Sequence, residues 1–211
     1  MQVSTNEQVT KMYDDTSSSY NKMMDAEIKQ PVYTQVMTRL FGALTNLAGP
    51  VVDTSCGSGH MLAMYHAQFD QNRSLIGVDL SPKMAAIASQ RIGAYAKVHI
   101  CDMRELDVLE NNCAAAVISF FALHHLDTLG AQAAFVEWHR VLANGGQLVV
   151  AAWEGEGTID YGKSADIVAL YYGLGELVDM VKKAGFSITR SVVEAVDDMP
   201  MDAIHIEATK V

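Results

Sequence analysis

The sequence is short of the features that mark disulfide-stapled, metal-binding or nucleic-acid-binding chains. Its three cysteines, Cys56, Cys101 and Cys113, cannot all pair and stand at no metal-ligand spacing. Neither a disulfide framework nor a metal site is expected. Basic residues are outnumbered: 15 Lys and Arg against 25 Asp and Glu leave a formal net charge of -10, and the longest basic run is Lys182-Lys183. A phosphate-rich partner needs a local basic patch to offset such a charge, so nucleic acid is not an expected partner. The apolar run Ala114 to Leu123 falls short of the roughly 20 residues that a membrane-spanning helix requires, and Ser119 interrupts it. Met1 to Thr10 shows neither the basic nor the apolar region of a signal peptide, which makes the cytoplasm the expected location. At 211 residues and 50% hydrophobic, the chain can bury one good core.

What is present is organised around Val51-Val52-Asp53-Thr54-Ser55-Cys56-Gly57-Ser58-Gly59-His60-Met61-Leu62. An apolar run stops at an acid, passes through small residues and two glycines, then resumes with helical spacing. That reads as strand, glycine turn, helix. Glycines let a backbone approach a ligand closely, and the free N–H groups at the start of a helix favour an anionic group. A nucleotide-containing cofactor fits such a turn. The dinucleotide fingerprint, however, needs a third glycine where this chain has Leu62, and a Tyr-x-x-x-Lys pair is absent. Both absences weigh against a nicotinamide-dependent oxidoreductase.

A second apolar strand, Ser74 to Val78, ends in Asp79, about 20 residues past the glycines, where an acid can accept both hydroxyls of a ribose. The third strand, Ala96 to Cys101, ends in Asp102-Met103. Read alone, Asp102 is as well a cap for a helix from Arg104 onward. The fourth strand, Ala114 to Ser119, is almost continuously apolar, as a strand buried on both faces should be, and runs into Phe120-Phe121-Ala122-Leu123-His124-His125. With an ordinary pKa of about 6.5, a histidine there can take a proton near neutral pH.

Asp53, the glycine turn and Asp79 resemble the first two motifs of the class I, Rossmann-like S-adenosylmethionine-dependent methyltransferases of the small-molecule type. The likeness covers nearly the whole chain. It implies an α/β fold: a doubly wound, mostly parallel seven-stranded sheet with an antiparallel C-terminal strand and an N-terminal helical lid. It implies one domain, 1–211, with a lid over 1–46, a cofactor-binding core over 47–153, and a substrate loop, helix and strand pair over 154–211. For S-adenosylmethionine, and S-adenosylhomocysteine as product, it implies contacts from Asp53, Ser55, Gly57, Gly59, Asp79, Leu80, Asp102, Met103, Ser119, Phe120 and Tyr20. In some similar enzymes a histidine at the position of His125 pairs with a lid tyrosine, here Tyr13; His124 is the second candidate. Ser55 departs from the family pattern, which has glycine there, so its backbone must avoid positive φ or carry strain.

The flanking segments complete the expectation. Asn6 to Asn46 reads as two helices broken at Asp14 to Ser19 and at Pro31, with Tyr13 to Tyr20 as a polar, mobile lid able to exclude water. A helix over Ala131 to Ala143 should stop at Asn144-Gly145-Gly146 and lead into a strand over Gln147 to Trp153. Helical segments over Ala165 to Tyr172 and Gly173 to Lys183 should precede strands over Phe186 to Val193 and Ala203 to Ala208, with His205 on the polar face of the last. Tyr161, Tyr171 and Tyr172 either line a substrate pocket or pack ordinarily. The resemblance implies transfer of a methyl group to a small, partly apolar acceptor. A protein that uses the same cofactor without methyl transfer is the other reading, since fold does not fix the reaction. Sequence does not set the oligomeric state.

Overall fold

The computed structural model describes residues 3–161, 167–196 and 200–211. In chain order the strands are β1 (Val51–Asp53), β2 (Leu75–Asp79), β3 (Ala96–Ile100), β4 (Ala114–Phe120), β5 (Leu142–Trp153), β6 (Thr158–Ile159), β7 (Ala169–Leu170), β8 (Phe186–Ala195) and β9 (Asp202–Lys210). The helices are α1 (Asn6–Glu27), α2 (Pro31–Ala43), α3 (His60–Gln68), α4 (Pro82–Ile92), α5 (Thr128–Val141) and α6 (Leu174–Lys183). Seven strands pair in the order β3-β2-β1-β4-β5-β9-β8. The first five of that row are parallel, and β9 runs antiparallel between β5 and β8. This is the doubly wound, mostly parallel sheet the sequence predicts, with its strand order reversing between β1 and β4. Such a reversal leaves a crevice at the carboxyl ends of the strands.

The sheet is covered on both faces. On one side Phe135, Trp138 and Val141 of α5 and Leu177 and Val181 of α6 form a fully buried layer with Leu148, Ile204 and Ile206. On the other, Val36, Met37 and Leu40 of α2, Leu62 and Tyr65 of α3, and Ala88 and Ile92 of α4 pack on Val51, Ala116 and Ile118. Burying each large apolar side chain contributes about 1.5–3 kcal/mol. β4 is buried from Ala114 to Ser119 because it has neighbours on both edges and helices on both faces.

Several local expectations are corrected. The polar stretch Asp14 to Ser19 does not break α1. Thr16, Ser17 and Ser19 donate their hydroxyls to the carbonyls of Met12, Asp14 and Thr16 at 2.8, 3.1 and 2.8 Å, so residues that favour turns are accommodated within the helix. A capping box between Thr5 and Gln8 starts this helix. The break comes at Ile28 to Gln30, before Pro31 at the first position of α2. The segment expected as a mobile lid is therefore part of a helix.

α5 ends at Val141, two residues earlier than expected, because Leu142 is already extended and pairs with Ala114. Asn144-Gly145-Gly146 forms an irregularity inside β5, where Gly145 takes φ +76° before pairing resumes at Gln147. Of the helix expected over Ala165 to Tyr172, Ala165 and Asp166 lie outside the described residues, as do Gly162 and Lys163 of the preceding loop. Residues 167–172 are not helical: Ala169–Leu170 pairs with Thr158–Ile159, a two-stranded ribbon that strict periodicity does not reveal in so short a stretch. His205 is buried rather than on a polar face, since β9 is an inner strand and Phe121 lies edge-on to its ring at 6.5 Å. No helix follows Asp102.

Candidate active site

A crevice opens at the carboxyl ends of β1, β2, β3 and β4, with α1 lying across it. It brings together Tyr13, Tyr20, Ser55, Gly57, Asp79, Leu80, Asp102, Met103, Phe120 and His125 of the residues expected from sequence. Asp53 lies beside it, in a smaller recess with Tyr20, Ser55, Cys56, His60 and Phe120. Ser119, Gly59 and His124 lie behind the wall. Ser119 is fully buried and its Oγ is 3.2 Å from Ser55 Oγ, so it supports the turn. Gly59, at φ +82°, lets α3 approach α4, for an added Cβ would come within 3.1 Å of Ala88.

The glycine turn is shaped by its neighbours. Gly57 takes φ +50°, and a Cβ there would meet the Tyr20 ring at 3.2 Å. Ser55 needs no left-handed backbone, since the non-glycine residues with positive φ are Asn112 and Phe121 among the described residues. Its N–H instead donates to Asp53 Oδ1 at 3.2 Å, closing a local turn that a serine can adopt. The first glycine of the family pattern is thus dispensable for this backbone.

The three strand-end acids differ. Asp79 Oδ2 accepts from Gly57 N–H at 2.8 Å and Oδ1 from Ser81 N–H at 2.9 Å. These bonds aim the carboxylate across the turn, while burial pushes its pKa up against their lowering effect. Among the described residues Asp53 accepts only the Ser55 N–H bond, and burial, reinforced by the charge of Asp79, moves it up to about 7. Asp102 is held low despite burial because it accepts from the Arg104 backbone and guanidinium and from Asn6 Nδ2 at 2.7 Å. It caps a turn rather than a helix. Asn6 was not foreseen, for 96 residues separate it from Asp102 and no sequence spacing links them.

On the opposite wall, Tyr13 Oη lies 2.9 Å from His125 Nε2. Burial lowers His125 to about 4 and raises Tyr13 well above the ordinary phenol value. The ordinary value expected from sequence is therefore wrong for this histidine. The imidazole is neutral near pH 7, and it shares one hydrogen bond with the phenol, whose direction follows the imidazole tautomer. His124 packs on His125 with ring centroids 4.1 Å apart, and burial, helped by His125, lowers it further.

α1 is tied to the core by polar contacts along its length. Asp14 Oδ1 accepts from the Ser81 hydroxyl and from Lys83 N–H at 3.1 Å, adding an acid to the start of α4. Arg91 donates to Asn21 at 2.9 Å and to Asp25 at 3.1 Å, and His60 pairs with Asp25 at 2.8 Å. Phe121 takes φ +50°, unusual for a bulky residue, and stacks on Trp153 at 4.2 Å and 27°. Strained backbone of this kind costs about 1–3 kcal/mol and concentrates at functional sites. Among the described residues no group of His, Cys, Asp and Glu is arranged to hold a metal ion.

Comparison with known proteins adds to this geometry. A family model described as "Methyltransferase domain" matches residues 51–146. A curated relative, malonyl-[acyl-carrier protein] O-methyltransferase of Marinomonas sp. (strain MWYL1), is 28% identical over 79% of this chain and 57% of its own. The chain thus spans a little over half the length of that relative. The solved structure of 1,6-didemethyltoxoflavin-N1-methyltransferase from Burkholderia thailandensis, with bound 1,6-didemethyltoxoflavin and S-adenosylhomocysteine, is 20% identical, with a TM-score of 0.75, over 100% of this chain and 92% of that one. The [4+2]-cyclase SpnF is 17% identical with a TM-score of 0.76 over 100% of this chain and 98% of that one. At such identities the likeness is one of fold, and the cyclase illustrates that a fold alone leaves the reaction open. Residues 51–146 thus match a methyltransferase domain, and the sheet that carries them has the Rossmann-like fold of solved S-adenosylmethionine-dependent methyltransferases.

Proposed function

We propose that this chain transfers a methyl group from S-adenosylmethionine to a small, partly apolar acceptor in the cytoplasm, releasing S-adenosylhomocysteine. The observation that carries the reading is the pairing of Asp79 with Gly57 at the wall of the crevice. Gly57 has no Cβ where Tyr20 closes in, and Asp79 is aimed by two backbone donors, so both suit a ribose and the chain beyond it. When bound, the cofactor would supply a methyl group activated by a positively charged sulfur. Asp53, buried and with one hydrogen bond, is placed to receive a cationic group in its recess. Asp102 and the Met103 backbone close the other end of the crevice.

The chain mainly has to align the reactants and exclude water. α1 does this by spanning the crevice with Val9, Tyr13 and Tyr20 facing in. Tyr13 and His125 form the wall on the acceptor side, their side chains joined by a hydrogen bond between the phenol oxygen and Nε2. Residues 1–46, 47–153 and 154–211 are read as lid, cofactor core and acceptor-binding part of one unit. The acidic balance of the whole chain supports a small molecule over nucleic acid as acceptor.

Calorimetric titration tests the reading. S-adenosylmethionine and S-adenosylhomocysteine should both bind, and Asp79→Ala should weaken each by about tenfold or more while unfolding stays cooperative. Unchanged affinity in that variant would refute the ribose assignment. For the acceptor wall, His125→Ala should lower turnover far more than cofactor affinity. Equal losses would make His125 a structural residue.

A further inference from the structure

Beyond Phe121 lies a second chamber, of about 300 Å³, between the α1–α2 corner and the ends of β5, β8 and β9. Phe121 lines this chamber, the cofactor crevice and the Asp53 recess alike, and Tyr33 lines the chamber and the recess. The chamber therefore adjoins the place where a methyl group would be delivered. Its walls are aromatic and acidic: Tyr33, Phe121 and Trp153, with Glu27 and Glu194, and no lysine or arginine among the described lining residues.

Glu27 is the unusual member. It is the last residue of α1, whose final turn carries no basic residue, so its charge sits at the negative end of the helix dipole. It accepts from Tyr33 Oη at 2.9 Å and from Gln30 Nε2 at 3.0 Å, both neutral donors. Those bonds point the carboxylate, and no ion pair neutralises it among the described residues. Glu194 differs, being paired with Arg190 at 2.7 Å. A third group lines the same space. The His205 side chain is 4% exposed, with Nε2 3.8 Å from Glu194 Oε2. Its buried Nδ1 has no hydrogen-bond partner among the described residues.

We propose that this chamber is the acceptor site, and that the acceptor is a small, flat, conjugated compound with a cationic or N–H-bearing nitrogen directed at Glu27. This rests on the methyl-transfer reading and names the substrate class for it. The aromatic side chains give the plane of the acceptor a stacking surface, and a cation there gains from their faces as well. Glu27 supplies the charge that selects nitrogen over an anionic group. Phe121, held by its stack on Trp153, is the partition past which the attacking atom reaches the methyl group. A phosphate or carboxylate at the same place would face Glu27 without a compensating cation.

A matched pair of probes tests this: tryptamine and indole-3-acetate, which share a ring and differ in the sign of their charge. Binding to the intact protein is measured by calorimetry in saturating S-adenosylhomocysteine, whose own binding is recorded first. Tryptamine should bind about tenfold or more tighter than indole-3-acetate, as expected for one charge-assisted contact. Glu27→Gln, which keeps the shape and an acceptor oxygen, should erase that preference with S-adenosylhomocysteine affinity unchanged. Trp153→Leu should weaken both probes. Equal binding of the two indoles, binding of neither, or a preference that survives Glu27→Gln would overturn the proposal. Failure of S-adenosylhomocysteine to bind would instead count against the cofactor reading on which it rests.

Discussion

Acidification should weaken the fold through His125, and the size of the effect follows from its surroundings. The side chain is buried beside Tyr13, and burial lowers its pKa to about 4, against about 6.5 for an unfolded chain. Below pH 6.5 the unfolded state takes up a proton that the folded state refuses until about pH 4. Stability is therefore lost as pH falls through that window, and is unaffected by this group above it. A tenfold difference in proton affinity between the two states corresponds to about 1.4 kcal/mol, so the window amounts to about 3 kcal/mol. The perturbation is His125→Gln, which removes the titration and leaves an oxygen to accept from the Tyr13 hydroxyl. Urea unfolding at half-unit steps from pH 4 to 8 gives the difference in stability between the two proteins. Taking a difference matters, because Asp53 titrates in the same range with the opposite sign: its folded pKa is raised to about 7, so its contribution is present at low pH and lost as pH rises. The variant should be the less pH-sensitive on the acid side, gaining about 3 kcal/mol relative to wild type between pH 6.5 and 4. A flat difference curve would refute the buried, neutral histidine.

Other expectations follow from the same geometry. Because Asp53 is largely protonated below pH 7 and faces a recess suited to a cationic group, cofactor binding at pH 6 should release protons. Titrations in buffers of different ionisation enthalpy would detect the release, and its absence in Asp53→Asn would assign it. Gly57→Ala should lose about 1–2 kcal/mol from its left-handed backbone alone, and should weaken cofactor binding because the new methyl group presses on Tyr20. Thermal unfolding and calorimetry read the two effects separately. Asp14→Ala removes the acceptor that joins α1 to the start of α4 and should destabilise by about 0.5–2 kcal/mol. Faster amide exchange confined to α1 would show that the lid, rather than the core, has been loosened.

The sheet was legible in the sequence because its strands are continuous apolar runs that end abruptly in acids, a pattern that buried parallel strands enforce. Asp53, Asp79 and Asp102 marked one edge, and the crevice lies there. What escaped the reading depends on contacts distant in sequence. α1 stays helical through Asp14 to Ser19 because hydroxyls bond back to its own carbonyls and Ser81 and Lys83 hold Asp14 from another element. His205 looked polar by alternation, yet β9 is enclosed between β5 and β8, which alternation along one strand cannot reveal. The low pKa of His125 comes from burial under a helix more than a hundred residues earlier in the chain, with Tyr13 and His125 112 positions apart. The strained Phe121 and the chamber behind it had no sequence signal either, since neither a backbone angle nor the meeting of Glu27 with Trp153 leaves a local pattern.

The most direct test of the account is to incubate the protein with S-adenosylmethionine carrying a deuterated methyl group and a fractionated metabolite extract, and to follow products by mass spectrometry. S-adenosylhomocysteine and an acceptor bearing the labelled methyl group should appear together in equal amounts, and both should be lost with Asp79→Ala. Tight binding of the cofactor with neither product formed from any fraction would contradict a methyl-transfer function.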